Sequence, residues 1–199
     1  MALAIIRLMK LSSTAKKPWN RQAHPSAPPA QKHWLYRPGA LTAGLRRLGQ
    51  VRLEVVREYA SCLDAQEAAL IARPRGTLAW IREVSMSIDG VRCVIARSFT
   101  PLAASHGVWQ GIRRLRSRPL ADMLYNDAQI QRSEFLSCRL NRAMPLFRTI
   151  ERALQGSDEP MPQARQLHAR CSVFWRYGQP LLVAECFMPD FWTPGATLA

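Results

Sequence analysis

The chain has 199 residues, 48% of them hydrophobic, and a formal net charge of +14 at pH 7. That length buries one sizeable core and is short for two full domains. No apolar run reaches the roughly 18 to 20 residues of a membrane helix, and five scattered cysteines with no C-x-x-C spacing exclude a disulfide scaffold or zinc ribbon.

Residues 1–33 hold six basic residues (Arg7, Lys10, Lys16, Lys17, Arg21 and Lys32), no acid, and Pro18, Pro25, Pro28 and Pro29. Such a segment buries too little apolar surface to offset its ordering entropy, so residues 1–33 are expected to be a disordered basic arm. Its acid-free character also resembles a transit peptide, with plain disorder the favoured reading. Beyond the arm every basic residue is arginine, which reads as coding bias and solvated surface rather than a nucleic-acid face.

Leu41, Leu45 and Leu48 recur at helical spacing before Gly49, which predicts a short amphipathic helix. Val51, Leu53 and Val55 alternate as a strand, and the Ala-rich stretch Cys62 to Ile71 suits a helical turn. Two alternating runs between Thr77 and Thr100 flank Asp89-Gly90, a dipeptide that favours a two-residue hairpin turn. Ser105 to Ser117 reads as a helix with Val108, Ile112 and Leu115 inward and Pro119 ending it. Strand character returns near Ile130 to Leu140. A third helix starts at Pro145, a good first helical residue, and runs through Leu146, Ile150 and Leu154 to Gly156. A final strand pair spans Arg170 to Met188. Hairpins with helices between them predict an α+β domain on an antiparallel sheet over residues 34–192, followed by a tail at 193–199.

The hairpin turn predicts a register. If Ile88 faces Val91, counting outward pairs Met86 with Cys93, Val84 with Ile95 and Arg82 with Arg97, with Trp80 and Phe99 on the same face. Two arginines then sit in an apolar stripe, where unpaired charge is costly. In the last strand Leu181, Val183, Glu185 and Phe187 share a face, so Glu185 falls in the apolar phase. Glu185 could close a core ion pair with Arg82 or Arg97. Two arginines against one acid leave a positive surplus, which favours an anionic ligand with carboxylates matched to guanidinium forks.

Other candidates carry less. His106 and His168 lack a partner at catalytic spacing, and the cluster Arg113, Arg114, Arg116 and Arg118 suits a helix end. No phosphate-binding glycine loop or metal-ligand cluster is visible.

The residues that stand out resemble a known family, the bacterial chorismate pyruvate-lyases of ubiquinone biosynthesis. The resemblance rests on Trp80-Ile81-Arg82-Glu83, Asp89-Gly90, Ala96-Arg97, Pro119-Leu120 with Leu124-Tyr125, and the closing run from Gln179 through Glu185 to Pro189. It implies a single-domain, roughly six-stranded antiparallel sheet with helices forming flaps over an enclosed site, and neither metal nor organic cofactor. By the same resemblance Arg82 would hold the product carboxylate, Glu185 would meet the ring hydroxyl, Leu120 would make a backbone contact and Leu41 would be an apolar flap residue. Arg82 and Glu185 are the expected catalytic residues, and Arg97 the expected partner of the second carboxylate. The implied activity removes pyruvate from chorismate to give 4-hydroxybenzoate, in a cytoplasmic monomer without nucleic-acid partners. The basic arm and extra sequence around Arg139 to Gln166 depart from the family pattern. A rival reading is a non-catalytic small-carboxylate sensor of the same fold, against which the short arm offers no room for a DNA-binding domain.

Overall fold

The computed structural model describes residues 18–23 and 25–192. In chain order the elements are α1 (Pro29–Tyr36), α2 (Leu41–Leu45), β1 (Val51–Cys62), α3 (Ala65–Leu70), β2 (Leu78–Ile88), β3 (Val91–Pro101), α4 (Leu102–His106), α5 (Ala121–Leu124), β4 (Gln131–Arg132), β5 (Leu136–Arg139), α6 (Pro145–Leu154), β6 (His168–Arg176) and β7 (Gln179–Phe187), with three 3-10 turns at Gln110–Arg114, Ala164–Gln166 and Pro189–Trp192. One antiparallel sheet runs β1-β2-β3-β7-β6-β4, with β5 also pairing to β6. β4 and β5 share one edge position, so seven strands fill the six places expected. The architecture is α+β, as the hairpin pattern predicts.

The sheet is covered on both faces. On the back face α6 lays Leu146, Phe147, Ile150 and Leu154 against Ile81, Ile95, Phe99 and Ala184. Those helical positions recur at spacings of three and four, the stripe that one buried face requires. The front face carries two separate apolar clusters. One joins Trp34, Leu41 and Leu45 to Val84, Met86, Phe187 and Phe191. The other joins Trp109, Ile112, Leu115 and Leu124 to Phe174 and Leu181. The gap between them is where a cavity can form.

The arm differs from expectation where it is described. Residues 1–17, and the expected tail at 193–199, lie outside the described residues. From Pro18 on, Trp19 packs against the back-face core, Asn20 exchanges two backbone hydrogen bonds with Ser137 (2.8 and 2.7 Å), and Pro29 opens α1. The one indole and a proline at the first helical turn anchor a stretch whose composition is otherwise that of a disordered tail. The folded unit therefore reaches well before residue 34.

A second difference concerns Ser105 to Ser117. α4 stops at His106, and the chain resumes as a 3-10 turn at Gln110–Arg114. Trp109 is wholly buried, and its indole N–H donates to the Gln179 carbonyl at 3.1 Å. That tertiary anchor breaks the helix that Ile112 and Leu115 suggest.

Candidate active site

The Asp89-Gly90 turn forms as predicted, with φ of 49° and 87° and Ile88 opposite Val91. The register then slips. Ser87 pairs with Arg92 but Met86 pairs with Val94, so Cys93 is an extra residue in β3. A β-bulge of this kind shifts the pairing by one residue, and with a period of two that moves each side chain beyond it to the other face. Arg82 consequently lies opposite Ser98, while Arg97 lies opposite Glu83. The expected Arg82–Arg97 pair does not exist: the two arginines are on opposite faces of the sheet.

Arg97 belongs to a closed network on the back face. Its Nε and Nη2 donate to both carboxylate oxygens of Glu67 (2.6 and 3.1 Å), and Nη1 donates to Glu83 (2.6 Å) and to the Tyr59 hydroxyl (2.9 Å). Thr149 and Arg152 on α6 complete the shell of Glu83 at 2.7 and 2.5 Å. Burial pulls the Arg97 guanidinium down, but the hydrogen bonds and charge of Glu67 outweigh it and hold the group above its ordinary value. Burial likewise works to raise Glu83, yet the hydrogen bonds of Arg152 and Thr149 and the nearby guanidinium charges keep its carboxyl below the usual range. Glu67 goes the other way, because burial outweighs Arg97 and raises it. Two cations face two anions, and no vacant donor is implied.

The front face holds a different arrangement. A cavity of about 60 Å³ is lined by Arg82, Arg170 and Glu185 among largely apolar side chains. Its floor follows from strand pairing. One cross-strand row runs Glu58, Arg82, Ser98, Val183, Ser172, and the next runs Val84, Ala96, Glu185, Arg170. Large charged groups stand at the ends and small residues in the middle, which leaves space above Ala96 and Ser98. Arg82 and Glu185 are two strands apart, roughly 10 Å at the usual strand spacing.

Both arginines are buried and fixed. Arg82 pairs with Glu58 on the neighbouring strand and donates through Nη2 to the carbonyls of Arg116 (2.5 Å) and Arg118 (3.3 Å). Arg170 donates through Nε to Glu185 (2.7 Å) and through Nη1 to the carbonyls of Trp34 (2.9 Å) and Arg37 (3.1 Å), with its guanidinium 4.4 Å from the centre of the Phe135 ring. Glu185 thus pairs with Arg170, not with Arg82 or Arg97. Arg170 is not among the residues expected at the site, the sequence placing it only at the start of the last strand pair. Its phase was available: Arg170, Ser172 and Phe174 alternate, and pairing across the last hairpin sets Arg170 opposite Glu185.

The roof brings the remaining expected residues together. Leu41 and Thr42 of α2 cover one side, and Pro119, Leu120, Leu124 and Tyr125 cover the other. The Tyr125 hydroxyl donates to the Gly39 carbonyl (2.8 Å) and accepts from Arg132 (2.8 Å), which ties the two covers to each other. Of the five residues expected at the site, Arg82, Leu120, Glu185 and Leu41 line the cavity and Arg97 does not. Among the described residues no group of three or more His, Cys, Asp or Glu is placed to hold a metal ion.

The chain is similar to known proteins over most of its length. A chain from Bordetella avium named a probable chorismate pyruvate-lyase is 54% identical over 174 residues, covering 87% of this chain and 84% of that one. Another of that name from Bordetella pertussis is 55% identical, covering 88% and 90%, and one from Pseudomonas fluorescens is 40% identical, covering 82% and 84%. Among solved structures, the effector domain of PhnF from Mycobacterium smegmatis superposes with a TM-score of 0.50 at 15% identity, covering 76% of this chain and 90% of that domain, a likeness of fold. The family described as Chorismate lyase matches residues 14–196, and this chain belongs to it.

Proposed function

We propose that the front-face cavity is where this chain cleaves chorismate to 4-hydroxybenzoate and pyruvate, with Arg82 and Glu185 holding the two ends of the ring. The observation that carries this reading is the spacing of the buried Arg82 and the partly buried Glu185 across a floor of small residues, with a second arginine beside the acid. A ring with a carboxylate at one end and a hydroxyl at the other fits between a guanidinium and a carboxylate two strands apart. Arg170 takes the part expected of Arg97. The enolpyruvyl ether sits on the ring carbon next to the one bearing the hydroxyl, so a substrate whose hydroxyl meets Glu185 brings its second carboxylate toward Arg170.

The chemistry asks little more of the protein. Breaking the ether bond and removing hydrogen from the adjacent hydroxyl-bearing carbon makes the ring aromatic, and the enolpyruvyl fragment leaves as pyruvate after gaining a proton. Aromatisation supplies the driving force, while two fixed guanidinium groups restrain the dianion and stabilise charge on the departing fragment. Because their partners are backbone carbonyls and cross-strand acids, neither arginine must reorganise as charge develops. Glu185, beside the hydroxyl-bearing carbon, either orients the hydroxyl or receives the proton. The apolar roof keeps water from the site and strengthens every charged contact within it.

The relatives' names favour this reading over a non-catalytic sensor, which fold likeness alone would permit. A cytoplasmic location and supply of the aromatic precursor of ubiquinone accord with it, and no described helix is long and apolar enough to cross a membrane. The test is direct: purified protein given chorismate should release 4-hydroxybenzoate and pyruvate in equal amounts. Tight binding of 4-hydroxybenzoate without turnover of chorismate would replace the enzyme with the sensor.

A further inference from the structure

The loop that holds Arg82 has an unusual backbone. Arg116 sits at φ 50°, in the left-handed region where glycine and asparagine are the common occupants and an arginine is not. It occupies the tight turn Leu115–Arg118, closed by the Arg118 N–H donating to the Leu115 carbonyl at 2.8 Å. Leu115 is buried in the front-face core before the turn, and Pro119 lines the cavity after it. The side chain of Arg116 is exposed, yet its carbonyl turns inward to accept from Arg82 Nη2 at 2.5 Å, shorter than the 3.3 Å contact of Arg118.

We propose that Arg116 is a positioning residue of the active site, acting through its backbone: the left-handed turn aims its carbonyl at Arg82 and so sets the plane of the guanidinium that receives the ring carboxylate. The inference rests on the assignment of Arg82 to that carboxylate. A guanidinium offers its donors in one rigid plane, so fixing Nη2 from behind fixes the fork presented to the ligand. With Glu58 holding Nη1 from the neighbouring strand, the two contacts oppose rotation of the group. An ordinary right-handed conformation at Arg116 would turn the carbonyl away and leave that N–H competing for the ligand in a different plane.

The test separates the backbone from the side chain. Arg116→Gly, Asn, Ala and Val all delete the charge but differ in tolerance of positive φ, in that descending order. Affinity for 4-hydroxybenzoate and KM for chorismate should follow the same order, with glycine close to the parent and valine weaker by about tenfold, the loss of one charge-assisted contact. Thermal midpoints are measured alongside, and if the valine variant does not fold, the alanine variant carries the comparison at smaller amplitude. Equal weakening in all four variants would assign the effect to the side-chain charge and overturn the proposal, as would parental affinity in folded Val and Ala variants. Arg82→Ala serves as the reference: if it binds 4-hydroxybenzoate like the parent, the assignment of Arg82 itself fails, whereas loss in Arg82→Ala with no ranking at Arg116 defeats only the positioning role.

Discussion

The two faces of the sheet each bury arginine against glutamate, and they do opposite things with it. On the back, Arg97 and Arg152 meet Glu67 and Glu83 within a shell of hydrogen bonds from Tyr59 and Thr149, packed under α6. On the front, Arg82 with Glu58 and Arg170 with Glu185 are equally balanced in charge, but they border a cavity of about 60 Å³, where the back-face pair of Arg97 and Glu67 meets only a small pocket of about 20 Å³. Net charge does not separate the regions. The surplus of cation that the sequence suggests is cancelled at Arg82 by Glu58. What separates them is geometry: the back-face donors converge on one another, whereas the front-face arginines are tethered from behind and stand on either side of small side chains. A buried ion pair is therefore weak evidence for a site until its open side is known.

The largest expected effect breaks the back-face network. Arg97→Ala leaves Glu67 and Glu83 buried with too little positive charge and should cost about 3–5 kcal/mol of stability. Chemical denaturation would measure it, while the protein that remains folded should bind 4-hydroxybenzoate like the parent. Loss of ligand affinity without loss of stability would return Arg97 to the active site. On the front face the pattern inverts. Arg82→Ala should weaken 4-hydroxybenzoate binding by about 2 kcal/mol or more, read by calorimetric titration of folded protein. Arg170→Lys keeps a charge against Glu185 but loses the planar fork, so it should weaken chorismate by about 1.5–3 kcal/mol and the product, which lacks the second carboxylate, less. Equal effects on both ligands would remove Arg170 from the enolpyruvyl end.

The smallest effect sharpens the comparison through pH. Glu83, held below its ordinary value of 4.5, favours the folded state fully above that value and loses its contribution as pH falls through the lowered pKa. Glu67 has the reverse sign: its raised pKa means the folded state binds the proton more tightly, so its contribution declines as pH rises from 4.5 through the raised value. The two partly cancel in the parent. Glu67→Gln should therefore steepen the rise of stability with pH, and Glu83→Gln should flatten it. Urea midpoints across the carboxylate range check both slopes, and identical slopes in the two variants would show that the network does not couple them in this way.

The four cysteines buried in the core, Cys93, Cys138, Cys171 and Cys186, donate to none of the arginine–glutamate pairs on either face. Burial raises all four thiols, Cys93 to about 12, so they stay protonated and act as small apolar side chains.

Much was readable from local pattern. Alternation located β1, β2, β3, β6 and β7, Pro145 and its apolar spacing located α6, and Asp89-Gly90 set the turn with Ile88 opposite Val91. Glu185 in the apolar phase of the last strand marked the cavity floor, and the family resemblance pointed to Arg82, Leu120 and Leu41, residues that do line it. These signals are short in range: a turn dipeptide, a helical first residue and a period of two or 3.6 act over a few residues. Tertiary structure decided the rest. The bulge at Cys93 adds a single residue, which no alternation rule announces, and it sent Arg97 to the far side of the sheet and left Arg82 beside Ser98. Glu58 reaches Arg82 only because β1 carries its own shift between Val55 and Arg57. The pairing of Arg170 with Glu185 and the carbonyls that fix both arginines come from chain segments far apart in sequence. A strand's phase is written in its own residues, but the face on which a distant charge lands depends on every residue inserted between it and the turn, and packing settles those insertions.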